Sequence, residues 1–242
     1  MTDQFKFPEI DEVGIENLDA ISFAPRFNHY MYKTISPHCK GEILEIGSGI
    51  GNISKHFIEA GSKISLSDIR DNYIGDLKEN FPSISDRIYK LDLVDDDFDE
   101  KYKNHLNRYD SIFALNVVEH IKEDTLAIKN ARKMLKDNGH LIILVPAFQW
   151  MYNSFDTALE HYRRYTKRSL MNLMSSHLDI IHHQYFNVFG MLGWFVSGRI
   201  LRKKTIPRNQ MELYDRLIFI SKSLDKLVFN KIGLSVIAVG KK

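Results

Sequence analysis

The chain has 242 residues, 44% of them hydrophobic and 26% charged, an ordinary globular composition that excludes a disordered or collagen-like polymer. Its 33 Lys+Arg against 31 Asp+Glu leave a net charge of +2, so no global field marks a nucleic-acid binder. One cysteine, Cys39, excludes an intramolecular disulfide and a cysteine-built zinc site. The opening residues, Met1–Gly14, are acidic and lack the apolar centre of a secretory leader, so a cytoplasmic protein of one domain is expected.

Residues 1–36 form a lead segment, rich in aromatic and basic residues from Asn17 to Ile35, and Pro37 ends any helix there. From Glu42 a rhythm of short apolar run, turn and helical pattern sets in. Glu42–Gly47 reads as a strand, Asn52–Ala60 as a helix stopped by Gly61, and Lys63–Asp68 as a second strand. A helical pattern runs to Phe81 and breaks at Pro82. Ile88–Leu93 is the third strand and Tyr109–Asn116 the fourth. Glu123–Leu135 is an amphipathic helix with Asn138-Gly139 as its stop, and His140–Val145 is a fifth strand closed by Pro146.

Strands alternating with helices at this interval, several apolar on both faces, predict a parallel sheet covered on both sides. Right-handed crossovers make it a doubly wound, Rossmann-like α/β layer whose ligands bind beyond the carboxyl ends of the strands. After Pro146 comes a loop, Ala147–Tyr165, then a helix capped by Thr166 and running to about His177. A sixth strand spans Leu178–Val188, and an antiparallel seventh strand, Leu234–Val239, closes a mostly parallel seven-stranded sheet. Residues 189–233 read as a helical insertion before that last strand, so the expected parts are 1–36, 37–188, 189–233 and 234–242 of one domain.

The segment Glu45-Ile46-Gly47-Ser48-Gly49-Ile50-Gly51 joins a strand to a helix, where glycines let a ligand approach the backbone. The nicotinamide fingerprint would put its third glycine at position 52, which is Asn52; here the third glycine is Gly51. Asp68 ends the second strand, where a carboxylate can accept both ribose hydroxyl protons, and Asp92 ends the third, within reach of an adenine amino group. Nothing near the glycine turn demands a phosphate. A ligand with adenine, ribose and a cation fits, and S-adenosylmethionine has all three. Alternatively each aspartate merely caps the helix that follows it.

With these residues in view, Glu42–Val145 resembles the core of the class I S-adenosylmethionine-dependent methyltransferases. The likeness rests on the acidic GxGxG turn, on Asp68 and Asp92, and on Asn116-Val117-Val118-Glu119-His120 after strand four. That last run resembles the small-molecule enzymes of the quinone-biosynthesis type. Leu135–Leu141 also matches the family's usual helix-to-strand region, with Asp137 and Asn138 where Pro and Gly are commoner. The resemblance implies that Glu45 and the turn (Gly47, Ser48, Gly49, Gly51, Asn52) hold the methionine part of S-adenosylmethionine. It implies Asp68 and Ile69 at the ribose, Asp92 and Leu93 at the adenine, and Asn116 and Val117 at the sheet centre. The lead segment would fold over the cofactor, with Arg26, Asn28 or Tyr30 as contacts.

Methyl transfer needs alignment above all, and a general base only where the nucleophile must lose a proton. His120 is a candidate base by position, or a structural histidine bonded across to another loop. In the loop after strand five, Glu160-His161-Tyr162-Arg163-Arg164-Tyr165 is a dense polar-aromatic cluster where the acceptor is expected, and a similar segment occurs in a bacterial subgroup of the family. His161 and Arg164 are the candidate catalytic residues there. Arg163 and Arg164 could grip a carboxylate or phosphate bidentately, or close the loop as an ion-pair knot. His177, His182 and His183 do not make a metal site, because neighbours on a strand point to opposite faces.

The apolar run Phe189–Leu201 is too short to span a bilayer. It reads as a lid over an acceptor pocket or as a peripheral membrane contact through 189–204, with Arg199, Arg202, Lys203 and Lys204 at headgroup level. The functional expectation is transfer of a methyl group to a small or lipid-like acceptor, at oxygen. The rivals are a protein that holds the cofactor without turnover and a nicotinamide oxidoreductase.

Overall fold

A computed structural model describes residues 11–242; the first ten residues of the lead segment, and most of the stretch read for a leader, lie outside the described residues. Helices α1 (Glu12–Ser22) and α2 (Pro25–Ile35) precede β1 (Ile43–Ile46), α3 (Ser54–Glu59), β2 (Ile64–Asp68), α4 (Asp71–Asn80) and β3 (Ile88–Lys90). A short α5 (Phe98–Lys101) leads to β4 (Tyr109–Leu115), α6 (Asp124–Met134) and β5 (Leu135–Pro146). Then come α7 (Ser154–Ala158), α8 (Lys167–Ser175), β6 (Asp179–Phe186), α9 (Val188–Trp194), α10 (Arg208–Arg216), α11 (Ile218–Leu227) and β7 (Ser235–Lys241). The seven strands form one sheet in the order β3-β2-β1-β4-β5-β7-β6. All neighbours are parallel except β7, which runs antiparallel to both β5 and β6. This is the Rossmann-like α/β fold expected, antiparallel last strand included.

Period-two alternation divides the core. Leu44, Ile46, Ile112, Ala114, Leu141 and Ile143 face one layer with α6 and α8, while Ile43, Ile64, Leu66, Phe113, Ile142 and Leu144 face the other, over α2–α4. Because both faces are covered, β1 and β2 are buried along their whole length. The exception is β6, an edge strand whose residues alternate in exposure, so His182 and His183 lie on opposite faces and His182 stacks on His38.

Three boundaries differ from the sequence reading. The third strand stops at Lys90, although the Leu91 N–H still bonds the Asp68 carbonyl of β2 at 2.9 Å. Helix α6 stops at Met134 and Leu135 pairs with Tyr109; Asn138, at φ 62°, sits in the irregularity before Ser111 pairs with His140. The run after β6 is α9 followed by a π-helical turn, Phe195–Ile200. That turn packs against α7: the Ser154 hydroxyl donates to the Gly198 carbonyl at 2.8 Å, and a Cβ at Gly198 would collide with Asn153.

Candidate active site

The loops after β1–β5, together with α1, α7, α9 and α10, enclose a cavity of about 370 Å³ at the carboxyl ends of the strands. Its size suits a small-molecule site. The glycine turn forms one wall. Gly47 (φ 70°) and Gly49 (φ 52°) hold left-handed backbone, and a Cβ at either would strike Val117 or Leu18. The Asp68 carboxylate ties this turn to β2, accepting from the Gly49 N–H at 3.0 Å and the Arg70 N–H at 3.1 Å. Burial raises its pKa, and those two donors work against the rise. Asp92 accepts from the Val94 N–H at 2.9 Å. Each acid therefore makes a local turn bond and also lines the cavity, so the cap reading and the ligand reading are not exclusive.

Ile69, Leu93, Asn116 and Val117 line the cavity as well. Seven other expected cofactor residues do not. Tyr30 turns away to donate to Asp225 at 2.8 Å, and Asn28 donates to the Ile21 carbonyl at 3.0 Å. Arg26 is exposed. The lead segment instead lines the cavity through Gly14, Asn17 and Leu18 on one face of α1, which a 3.6-residue period could have picked out, and through Phe27 and Met31 of α2. Asn52 donates to the Leu18 carbonyl at 2.9 Å and so ties the glycine turn to α1. Gly51 packs on Phe81 and Leu77 of the α4 side. Glu45 lies beneath the turn, its buried carboxyl hydrogen-bonded by Ser54 and Ser48. Burial pushes that carboxyl up to about 8.

On the opposite wall the EHYRRY loop folds around Asp156, a residue that had no assigned role. Asp156 is fully buried and accepts four bonds: from the Asn153 N–H (2.9 Å), from His161 Nδ1 (2.8 Å), and from Arg164 Nε (2.7 Å) and its NH2 nitrogen (3.0 Å). Burial alone would raise the Asp156 pKa; the His161 and Arg164 bonds outweigh it and hold the carboxylate low. Arg164 also donates to the Ala147 carbonyl and lies over the Trp194 ring. It is thus the ion-pair knot of the two readings, with its fork already occupied. Arg163 turns outward to Asp124.

The Asp156 bond orients His161 so that Nε2 is left for the cavity, 4.0 Å from Glu119 Oε1. Glu119 is fully buried, both of its carboxyl oxygens lack a hydrogen-bond partner, and burial pushes its pKa up to about 8. His120 meets His161 edge to face at 4.6 Å. Burial first, then the nearby charges of His161 and Arg70, push the His120 pKa down to about 3, and its ring bonds the Leu159 backbone. Donor atoms of Glu119, His120 and His161 lie within 4.8 Å of one another, close enough to share a cation, and none of them belongs to the three histidines weighed in the sequence.

Residues 44–141 match the family described as a methyltransferase domain. Over those residues, about two fifths of its length, the chain is similar to a methyltransferase domain. Its fold is shared with a methyltransferase from Archaeoglobus fulgidus (17% identity, TM-score 0.62, 93% of this chain and 98% of that one). It is shared too with phosphoethanolamine N-methyltransferase 2 of Haemonchus contortus, solved with S-adenosylmethionine (13% identity, TM-score 0.58, 98% and 60%). A hybrid polyketide–nonribosomal peptide synthetase of Trichoderma harzianum is 34% identical over 131 residues, 49% of this chain. The chain spans only 3–4% of the length of such curated relatives. The domain's wall fits S-adenosylmethionine: a glycine cradle with no room for a Cβ, a buried carboxylate beside it, and a second acid next to apolar Leu93.

Proposed function

We propose that this methyltransferase acts on an oxygen of a small or lipid-like acceptor held between the EHYRRY loop and the helices above it. S-adenosylmethionine, when bound, supplies an electrophilic methyl group on its sulfonium. In this reading Asp68 and Ile69 take the ribose, Asp92 and Leu93 the adenine, and the backbone of Gly47 and Gly49 the methionine part. Glu45, Ser48, Gly51 and Asn52 shape that turn from behind.

The observation that carries the oxygen assignment is His161. Asp156 holds its Nδ1 proton, so Nε2 faces the cavity as a base able to take a hydroxyl proton. His120, pushed down to about 3, is a poor base and serves as a wall beside it. Arg164 is a positioning residue that fixes Asp156. The quinone-biosynthesis likeness of Asn116–His120 agrees with a hydroxylated acceptor. Release of S-adenosylhomocysteine with a panel of phenols, carboxylic acids and amines tests the proposal. Turnover with hydroxyl acceptors should fall about 10²–10⁴-fold in His161→Gln, with S-adenosylhomocysteine affinity unchanged. Turnover with amines alone would overturn it.

A second reading is favoured by one observation: a metal-bound histidine commonly hands its other nitrogen to a carboxylate, as His161 does to Asp156. Glu119, His120 and His161 would then seat a divalent cation, and turnover would stop with a chelator and return with Mg²⁺ or Mn²⁺.

A further inference from the structure

The helices between β6 and β7 have two faces of opposite purpose. Gly190, Gly193 and Trp194 of α9, and Gln210, Met211 and Tyr214 of α10, line the cavity. On their outer side Leu192, Phe195, Val196 and Ile200 recur at helical spacing, and all four are exposed, Leu192 at 66% and Ile200 at 62%. Farther along the segment, Leu213, Phe219, Leu227 and Phe229 are exposed too, the last two at 72% and 78%. An exposed apolar surface of this extent on one segment marks a contact.

Charge says with what. Residues 188–233 hold nine Lys+Arg against three Asp+Glu, a net +6, while the remainder of the chain holds 24 against 28, a net −4. Two of the three acids, Asp215 and Asp225, are buried, where they accept backbone N–H bonds from Phe27, Asn187 and Val188. The third, Glu212, is paired with Arg208 at 2.9 Å. The outward surface is therefore cationic and apolar together. A second copy would set +6 against +6, and five of the eight exposed apolar residues above are aliphatic and give nucleic acid neither a hydrogen bond nor a stacking plane. No helix among the described residues is long and apolar enough to cross a membrane, so the contact is interfacial.

We propose that the outer face of α9–α11 docks on an anionic lipid surface, which makes the roof of the cavity its lipid-facing element. The lid and the membrane contact weighed in the sequence are then the inner and outer faces of the same helices. Docking would let an apolar acceptor pass from the bilayer to the cavity; that consequence rests on the acceptor reading above, whereas the docking itself does not.

Co-sedimentation with vesicles of phosphatidylcholine, and of phosphatidylcholine mixed with phosphatidylglycerol, tests this with no turnover involved. The intact chain should bind only the mixed vesicles, less as salt rises. The triple variant Arg202→Glu, Lys203→Glu, Lys204→Glu should lower binding more than about tenfold. Leu192→Ser with Ile200→Ser and Phe219→Ser should also lower it, and S-adenosylhomocysteine affinity should stay unchanged in both, since none of the six lines the cavity. Any of three results would overturn the proposal: no binding to mixed vesicles, binding indifferent to the apolar variant, or a concentration-dependent dimer or RNA complex in place of vesicle binding. Failure here leaves the methyltransferase reading standing, and loss of turnover without loss of vesicle binding would do the reverse.

Discussion

The sheet and its cap share an apolar core but differ in the polar bonds that join them. Strands β1, β2, β4 and β5 are joined by backbone ladders and covered by aliphatic side chains, so each contact repeats a local rule. The cap, α1 and α2 with α9–α11, is joined through buried polar side chains reaching across the sequence. Asp215 supplies the N-terminus of α2 with the acceptor that Ala24 cannot, bonding the Phe27 N–H at 2.8 Å. Asp225 accepts from Tyr30, Asn187 and Val188, and the Asn17 side chain accepts from the Ile206 N–H. Asn187, in left-handed backbone, gathers Gly190, Tyr214 and Ser221 on one oxygen. A sheet of this kind tolerates change by repacking; a cap of this kind depends on a few charges.

That contrast can be broken in order of size. Asp225→Ala strands three donors and should cost about 3 kcal/mol, seen as lost hydrogen-exchange protection in α2, α9 and α11 while β4 and β5 stay protected. Uniform loss across the sheet would mean that cap and sheet are one cooperative unit. Asp68→Ala removes the carboxylate from the glycine wall and should weaken S-adenosylmethionine binding by about 2 kcal/mol in calorimetry; unchanged affinity would remove Asp68 from the ribose.

The pH response separates the two regions as well. Glu45 on β1 and Glu119 in the loop after β4 keep in the fold a proton that the unfolded chain releases above about pH 4.3. Their stabilising contribution is therefore complete below that pH and is lost as pH rises toward about 8, by up to about 1.4 kcal/mol per pH unit for each group. Thermal unfolding should show this slope, and Glu119→Gln should flatten it by one group's share. The smallest effect is Tyr30→Phe, about 1 kcal/mol, confined to the cap and silent for cofactor affinity because Tyr30 turns away from the cavity.

The readable parts of the molecule are those where neighbours in sequence are neighbours in space. The turn from Glu45 to Gly51, the acids at Asp68 and Asp92, and the strand rhythm around them follow from period, punctuation and turn chemistry over a few residues each. Hence the fold and the cavity-lining positions Gly47, Gly49, Asp68 and Asp92 were legible in the chain as written, whereas Asn116 was implied only by the family resemblance.

Long-range pairing was not readable in the same way. Whether Tyr30 faced a ligand or Asp225, 195 positions away, depended on how α2 sits on α11. Arg164 was available to a substrate until the loop folded and Asp156 took its fork. Glu119 stood in the motif after strand four, but only packing could bury its carboxyl without a partner beside His161. Local propensity governs backbone geometry, while the state of a buried charge depends on which distant group folding brings to it, and no single stretch of chain contains that information.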